Sequence, residues 1–129
     1  LSTSPTFLSP AFNWFSKIAS AELCTLTTFF VKDVKGNDAA GLYIVGTNWV
    51  VVDADGVAKH GPGVALAHEM GHAGGIWSHS DDPASLMYGG SDVPAGTTLT
   101  DSQCRLIRGS KFACLNLGTI PAGAPFGPH

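Results

Sequence analysis

His68-Glu69-Met70-Gly71-His72, followed by His79 and then by Leu86-Met87-Tyr88, decides how this chain is read. On a helix, imidazoles at i and i+4 lie one turn apart on the same face. That spacing lets both bind one zinc ion, while the glutamate beside the first reaches a metal-bound water. A third imidazole completes a tetrahedral site with one open position. Three of the five histidines fall between His68 and His79, a clustering that a helix with two solvated histidines does not explain.

Elimination narrows the third ligand. The chain has two glutamates, Glu22 and Glu69, so none lies C-terminal to the motif. His79, Asp81, Asp82, Asp92 and Asp101 remain. His79 is preferred, because it follows the Gly74-Gly75 turn, where the chain can fold back beneath the metal.

Outward from this centre, Gly61-Pro62-Gly63 precedes the motif helix, whose core face is expected to include Leu66, Met70 and Ala73. Leu42–Val45 and Trp49–Asp53 read as strands joined through Gly46-Thr47-Asn48, and Asp55-Gly56 as the next turn. Thr25–Val34 is β-branched and aromatic and reads as a further strand, ended by Gly36-Asn37-Asp38. Ser9 as N-cap and Pro10 at N1 start a backing helix with Phe12, Phe15, Ile18, Ala19 and Leu23 on its apolar face. Beyond the motif, residues 76–99 show neither period, and so long an irregular stretch is usually functional. Thr100 caps a short helix through Arg108, stopped at Gly109. The fold class expected is α+β, with residues 1–8 and 118–129 as peripheral tails.

The chain has 129 residues, enough for one domain, 1–129, with a buried core. Its net charge is −3 and its basic residues are scattered, so neither nucleic acid nor a membrane surface is expected as partner. Charged residues make up 13% of the chain, against roughly 25% in a typical soluble domain, which suits a secreted protein. No apolar run approaches the roughly 18 residues of a membrane span, and Leu1 begins without the features of a signal peptide. A soluble monomer is expected. Of the three cysteines, Cys104 and Cys114 flank a helix end and are expected to pair, leaving Cys24 as a buried thiol.

At this point the segment resembles the metzincin family of zinc endopeptidases, matrixins most closely. Their pattern is H-E-x-x-H-x-x-G-x-x-H followed by a methionine-containing turn, and His68, Glu69, His72 and Gly75 fall in its register. The stretch from His79 through Asp82-Pro83 to Leu86-Met87-Tyr88 looks like the matrixin passage from ligand to Met-turn. Val51-Val52-Asp53-Ala54-Asp55 resembles the strand and acidic turn that lead into it. The likeness spans Leu42 to Arg108, about half the chain. One departure stands out: Ile76-Trp77-Ser78 puts three residues between Gly75 and His79 where the family has two. Ser78 therefore occupies the third-ligand register, and a one-residue bulge is needed to deliver His79. The compact snapalysin-like proteinases use an aspartate there, which makes Asp81 the runner-up.

The resemblance implies a zincin-like fold: a twisted mixed β-sheet, a backing helix, an active-site helix and a C-terminal helix. It implies a zinc-dependent endopeptidase that hydrolyses peptide bonds by a zinc-bound water, with Glu69 as general base and Met87 as a hydrophobic floor beneath the histidines. Leu42, Tyr43 and Ile44, on an edge strand, would pair with an extended protein or peptide substrate, with Tyr88 nearby and Gly89–Thr97 lining a specificity pocket. A plain hairpin is the alternative for that strand. Asp53-Ala54-Asp55-Gly56 is a candidate calcium loop as well as a turn. His60 and His129 are expected to be solvated, and Trp77 to pack locally or wall the site. Two rivals stay open: a non-catalytic zinc-containing peptide-binding domain, and a zinc hydrolase with a non-peptide substrate.

Overall fold

The structure is a computed structural model and describes residues 13–19, 24–34 and 40–113. It is a small mixed α+β protein built on a three-stranded mixed sheet. Strands β1 (Thr27–Val31), β2 (Gly41–Tyr43) and β3 (Trp49–Asp53) take the order β1-β3-β2. β1 runs parallel to β3, and β2 antiparallel to it, with Leu42 opposite Val51. β1 is shorter than the Thr25–Val34 span expected, because β3, its one partner among the described residues, offers five residues to pair with. Thr47 closes the β2–β3 hairpin: its backbone N–H and its hydroxyl both donate to the Ile44 carbonyl.

Every residue of β3 is buried, as expected of a central strand covered on both faces. On one face Trp49 and Val51 join Leu42, packed against Phe15, Ala19, Phe29 and Ile44. Phe15 and Ala19 belong to the helical stretch 13–18 (α1) and the residue after it. The Phe15 ring lies 4.4 Å from that of Phe29 and 5.2 Å from that of Trp49, centroid to centroid. This is the backing helix, although Ile18 points outward and is exposed. Phe12, Leu23, the Ser9-Pro10 start and the Gly36-Asn37-Asp38 turn lie outside the described residues.

Two helices follow β3 directly. The Asp55-Gly56 turn expected from sequence is instead the first turn of α2 (Ala54–His60). Asp53, extended at the end of β3, accepts the Gly56 N–H on Oδ1 at 2.7 Å, so its carboxylate caps this helix. The same capping occupies an oxygen of the proposed calcium loop. Gly61, at φ +84°, ends α2 and starts α3 (Pro62–Ala73), with Pro62 at the first helical position.

Helix α3 packs on β2 and β3. Its inward face runs through Ala65, Glu69 and Ala73, spaced one turn apart, while Met70 is 48% exposed. Met70 is therefore not a core residue, because it lies about 100° around the helix from the Ala65–Glu69–Ala73 stripe.

The end of α3 is a complete Schellman turn. Gly75 N–H donates to His72 O, and Ile76 N–H donates to Gly71 O, both at 3.0 Å. Gly75 holds φ +104°, a region that L side chains rarely adopt. Beyond it, residues 76–99 form no helix or strand, as the sequence predicts, but they are well hydrogen-bonded. Isolated bridges join Ser80 to Tyr88 and Ser85 to Thr98.

Helix α4 (Asp101–Arg108) starts at Thr100 with a full capping box: Thr100 Oγ1 accepts the Gln103 N–H, and Gln103 Oε1 accepts the Thr100 N–H. Thr100→Ala is expected to lower stability by about 1 kcal/mol in chemical denaturation, the usual cost of a lost cap.

The expected Cys104–Cys114 bridge does not form. Cys104 is a free thiol, whereas Cys24 is disulfide-bonded to a partner outside the described residues. Spacing favours closing a short loop, but Cys104 sits within α4, where the helix and not the loop sets its direction.

Candidate metal centre and its cleft

His68 and His72 project from one face of α3, and the Schellman turn sends the chain back so that His79 meets them. The Nε2 atoms of His68 and His72 lie 3.2 Å apart, and those of His72 and His79 lie 3.1 Å apart. Two imidazole nitrogens bound tetrahedrally to one zinc ion at about 2.0–2.1 Å are separated by roughly 3.3 Å. His72 therefore already stands at that spacing from both His68 and His79, and the ligand atoms of all three lie within 4.8 Å of one another.

Hydrogen bonding fixes which nitrogen of each helical histidine faces inward. His68 Nδ1 contacts the Leu86 carbonyl at 2.8 Å, and His72 Nδ1 contacts the Ile76 carbonyl at 2.7 Å. A carbonyl only accepts, so each Nδ1 carries the proton and each neutral ring turns an unprotonated Nε2 inward. Burial pushes His68 down to about 4 and lowers His72 as well, so these rings are neutral near pH 7. Two lone pairs 3.2 Å apart cannot hydrogen-bond to each other, and a cation between them resolves the contact. The carbonyl partners are those that metal-bound histidines characteristically use. Both arise from the turns flanking the site: Ile76 ends the Schellman motif, and Leu86 precedes Met87.

Among the described residues, His68, His72 and His79 form the one cluster of three or more metal-ligating side chains, with ligand atoms within 4.8 Å of one another. Asp81 and Asp82 are exposed and stand outside it. Asp82 Oδ1 instead accepts the Ala84 N–H in a local turn. The extra residue before His79 is absorbed outward. Ile76 is buried, Trp77 is 70% exposed, Ser78 is exposed, and the chain is pinned again where Ser80 N–H donates to Met87 O.

Met87 has no exposed surface and clusters with Ile76 and Leu86, against α3 at Gly71. Its Sδ fits against bare backbone, since a Cβ on Gly71 would stand 2.5 Å from it. Gly71→Val is expected to destabilise the protein by roughly 2 kcal/mol, from overpacking of a rigid core against Met87, which outweighs the small gain in helix propensity over glycine. Thermal unfolding checks this, and an unchanged midpoint would remove Met87 as a fixed floor.

Glu69 is 6% exposed. Desolvation, with the Asp53 carboxylate adding repulsion, raises its carboxyl to about 8. Sequence reasoning missed two residues that set this environment. Asp53 is one, read as the end of a strand leading to an acidic turn and as a calcium candidate, with no role toward Glu69. Gly41 is the other: a Cβ there would stand 2.7 Å from Glu69 Cγ and 2.8 Å from Oε1. Bare backbone at Gly41 is what lets β2 lie against the carboxyl.

A cleft of about 390 Å3 runs over Glu69 and the three histidines. Leu42 and Tyr43 line it from β2, Tyr88 lines it from beyond Met87, and Trp77 contributes an exposed wall. Ile44 is not among the lining residues and packs against the Leu42–Trp49–Val51 core. Among the described residues β2 is an edge strand, with β3 its one partner in the sheet. His60, expected to be solvated, is half-buried, lines the cleft, and accepts the Ala95 N–H on Nδ1 at 3.0 Å. Its one signal in the sequence is its position at the end of a helix that Asp53 caps, where local propensity points to a turn. His129 lies outside the described residues.

No family model matches this chain, and no curated protein or solved structure matches it.

Proposed function

We propose that this chain is a secreted zinc endopeptidase of metzincin type, hydrolysing peptide bonds in protein substrates. The observation that carries the proposal is the convergence of three imidazole Nε2 atoms beside a buried glutamate, in a cleft bordered by an edge strand. A closed structural site would have no use for that glutamate or for that cleft.

His68, His72 and His79 would hold the ion. Zinc bound there supplies a Lewis acid that polarises the scissile carbonyl and acidifies water. Glu69 accepts the proton of the attacking water and delivers it to the leaving amine. With an ion held by the histidines, the opposite charge would favour the Glu69 carboxylate and so its role as proton acceptor. The free backbone groups of β2 pair with an extended substrate segment, which places the peptide along the cleft. The carbonyls of Leu86 and Ile76 keep the His68 and His72 rings oriented, and the buried Met87 packs against the same helix at Gly71. Neither nucleic acid nor a membrane is a partner in this reading. The disulfide at Cys24 supports an oxidising, extracellular setting.

The test is cleavage of unfolded casein by the purified protein, repeated with a zinc chelator and after restoring zinc. Cleavage that is lost with the chelator and regained with zinc supports the reading. A folded, zinc-loaded protein that cleaves neither casein nor a broad peptide library would leave the peptide-binding domain as the better account.

A further inference from the structure

His60 differs from the histidines beside it in the cleft. His68 and His72 each donate through Nδ1, whereas His60 Nδ1 accepts a backbone N–H, from Ala95 at 3.0 Å. The neutral His60 ring is therefore the opposite tautomer, with its Nδ1 lone pair spent on protein backbone. It stands outside the metal-ligating cluster. Its partner lies in the segment after Met87, which forms no regular structure and whose residues 91–94 are exposed.

Side chains hold that segment in place. Lys59, next to His60 at the end of α2, donates from Nζ to the Ser91 carbonyl, and the Tyr88 hydroxyl donates to Asp92. At its far end backbone takes over from Gly96 onward: Gly96 N–H donates to Ser85 O, Thr98 N–H to Ala84 O, and Leu86 N–H to Thr98 O. Lys59, His60, Ser91 and Ala95 all line the cleft. One wall of the cleft is thus a strap, anchored at its base by backbone and across its span by the last two residues of α2. Of these spanning contacts, the His60–Ala95 bond is the one that is partly buried.

We propose that His60 is a positioning residue that, by accepting the Ala95 N–H, fixes the 91–95 wall and so sets how tightly the cleft holds an extended peptide. The inference rests on the peptidase reading above for its substrate, but the tether itself does not depend on it. A bond whose loss releases a wall and leaves Glu69 and the three histidines in place changes substrate affinity and spares the chemical step.

Two side chains separate the ring's two ends. Asn places its Oδ1 near the Nδ1 position and keeps the acceptor, while Gln reaches the Nε2 position and does not. His60→Leu, His60→Asn and His60→Gln are compared with wild type by amide hydrogen exchange at Ala95 and by kcat and KM on one fluorogenic peptide. The zinc-loaded protein is used throughout, with thermal unfolding to confirm that each variant is folded. His60→Leu is expected to speed Ala95 exchange by about tenfold, the scale of one lost hydrogen bond. KM should rise severalfold with kcat nearly unchanged. His60→Asn should restore both, and His60→Gln neither. Unchanged Ala95 exchange in His60→Leu overturns the tether. Rescue by His60→Gln, with kcat as the quantity that moves, overturns it in favour of a role for Nε2. If Ala95 exchange follows the expected series in a protein that cleaves no peptide, the tether stands and the peptidase reading falls.

Discussion

Glu69→Gln is expected to abolish peptide cleavage, leave zinc bound, and stabilise the metal-free protein. Cleavage should fall by about a hundred- to ten-thousand-fold, the range for a lost general base. Zinc should remain, because the three histidine nitrogens do not depend on the carboxyl. The stability effect follows from burial. With its carboxyl raised from 4.5 to about 8 in the folded chain, Glu69 is protonated in both states below pH 4.5. Between those values the unfolded chain releases the proton first, so the folded state loses stability as pH rises. Above pH 8 the whole cost is present, on the order of 5 kcal/mol, because each tenfold change in proton affinity is worth about 1.4 kcal/mol. Glutamine is neutral at every pH and carries no such cost. Thermal unfolding in chelator should therefore show the variant melting above wild type at pH 8.5 and the gap closing toward pH 4.5. A gap independent of pH would mean that Glu69 is not held as a desolvated acid.

His79→Ala is expected to weaken zinc binding by more than about 100-fold, whereas Asp81→Ala leaves it unchanged. Loss of an outer partner of a metal ligand typically costs about 10- to 100-fold in affinity, and loss of a ligand itself costs more. His79 is the discriminating position, because the sequence register places Ser78 there and a carboxylate at Asp81 is the rival. Its Nε2 lies 3.1 Å from that of His72, while Asp81 belongs to no metal-ligating group among the described residues. Competition with a chromophoric zinc chelator reads both affinities. Equal losses in the two variants would show that the loop rearranges to bring Asp81 to the metal.

The parts of this molecule that are legible in its sequence are those where local chemistry decides the outcome. His68, Glu69 and His72 share a helix because α-helical spacing leaves them no other arrangement, and Gly75 ends it because the turn needs a positive φ. Trp49–Asp53 can be read at its true limits, since a buried central strand has a continuous apolar signature. Thr100 announces α4 by its capping chemistry.

What the sequence hides depends on contacts between distant segments. Asp-Gly at 55–56 signals a turn by local propensity, but the Asp53 carboxylate caps a helix there instead. Met70 fits an apolar helical period, but the sheet meets the neighbouring stripe of α3. His60 acquires its role from Ala95, which lies far along the chain. Backbone carbonyls of Leu86 and Ile76 orient the histidines, and a carbonyl leaves no trace in residue identity. The extra residue before His79 looks like a defect in the motif, yet an exposed excursion at Trp77 and Ser78 accommodates it.

The most direct test of the central claim is a zinc titration of the metal-free protein, with peptide hydrolysis and bound zinc read on the same samples. The expected result is hydrolysis that rises in proportion to zinc and saturates at one ion per chain, with Glu69→Gln binding the same ion without turnover. One zinc bound per chain with no hydrolysis of any peptide in a broad library would contradict it.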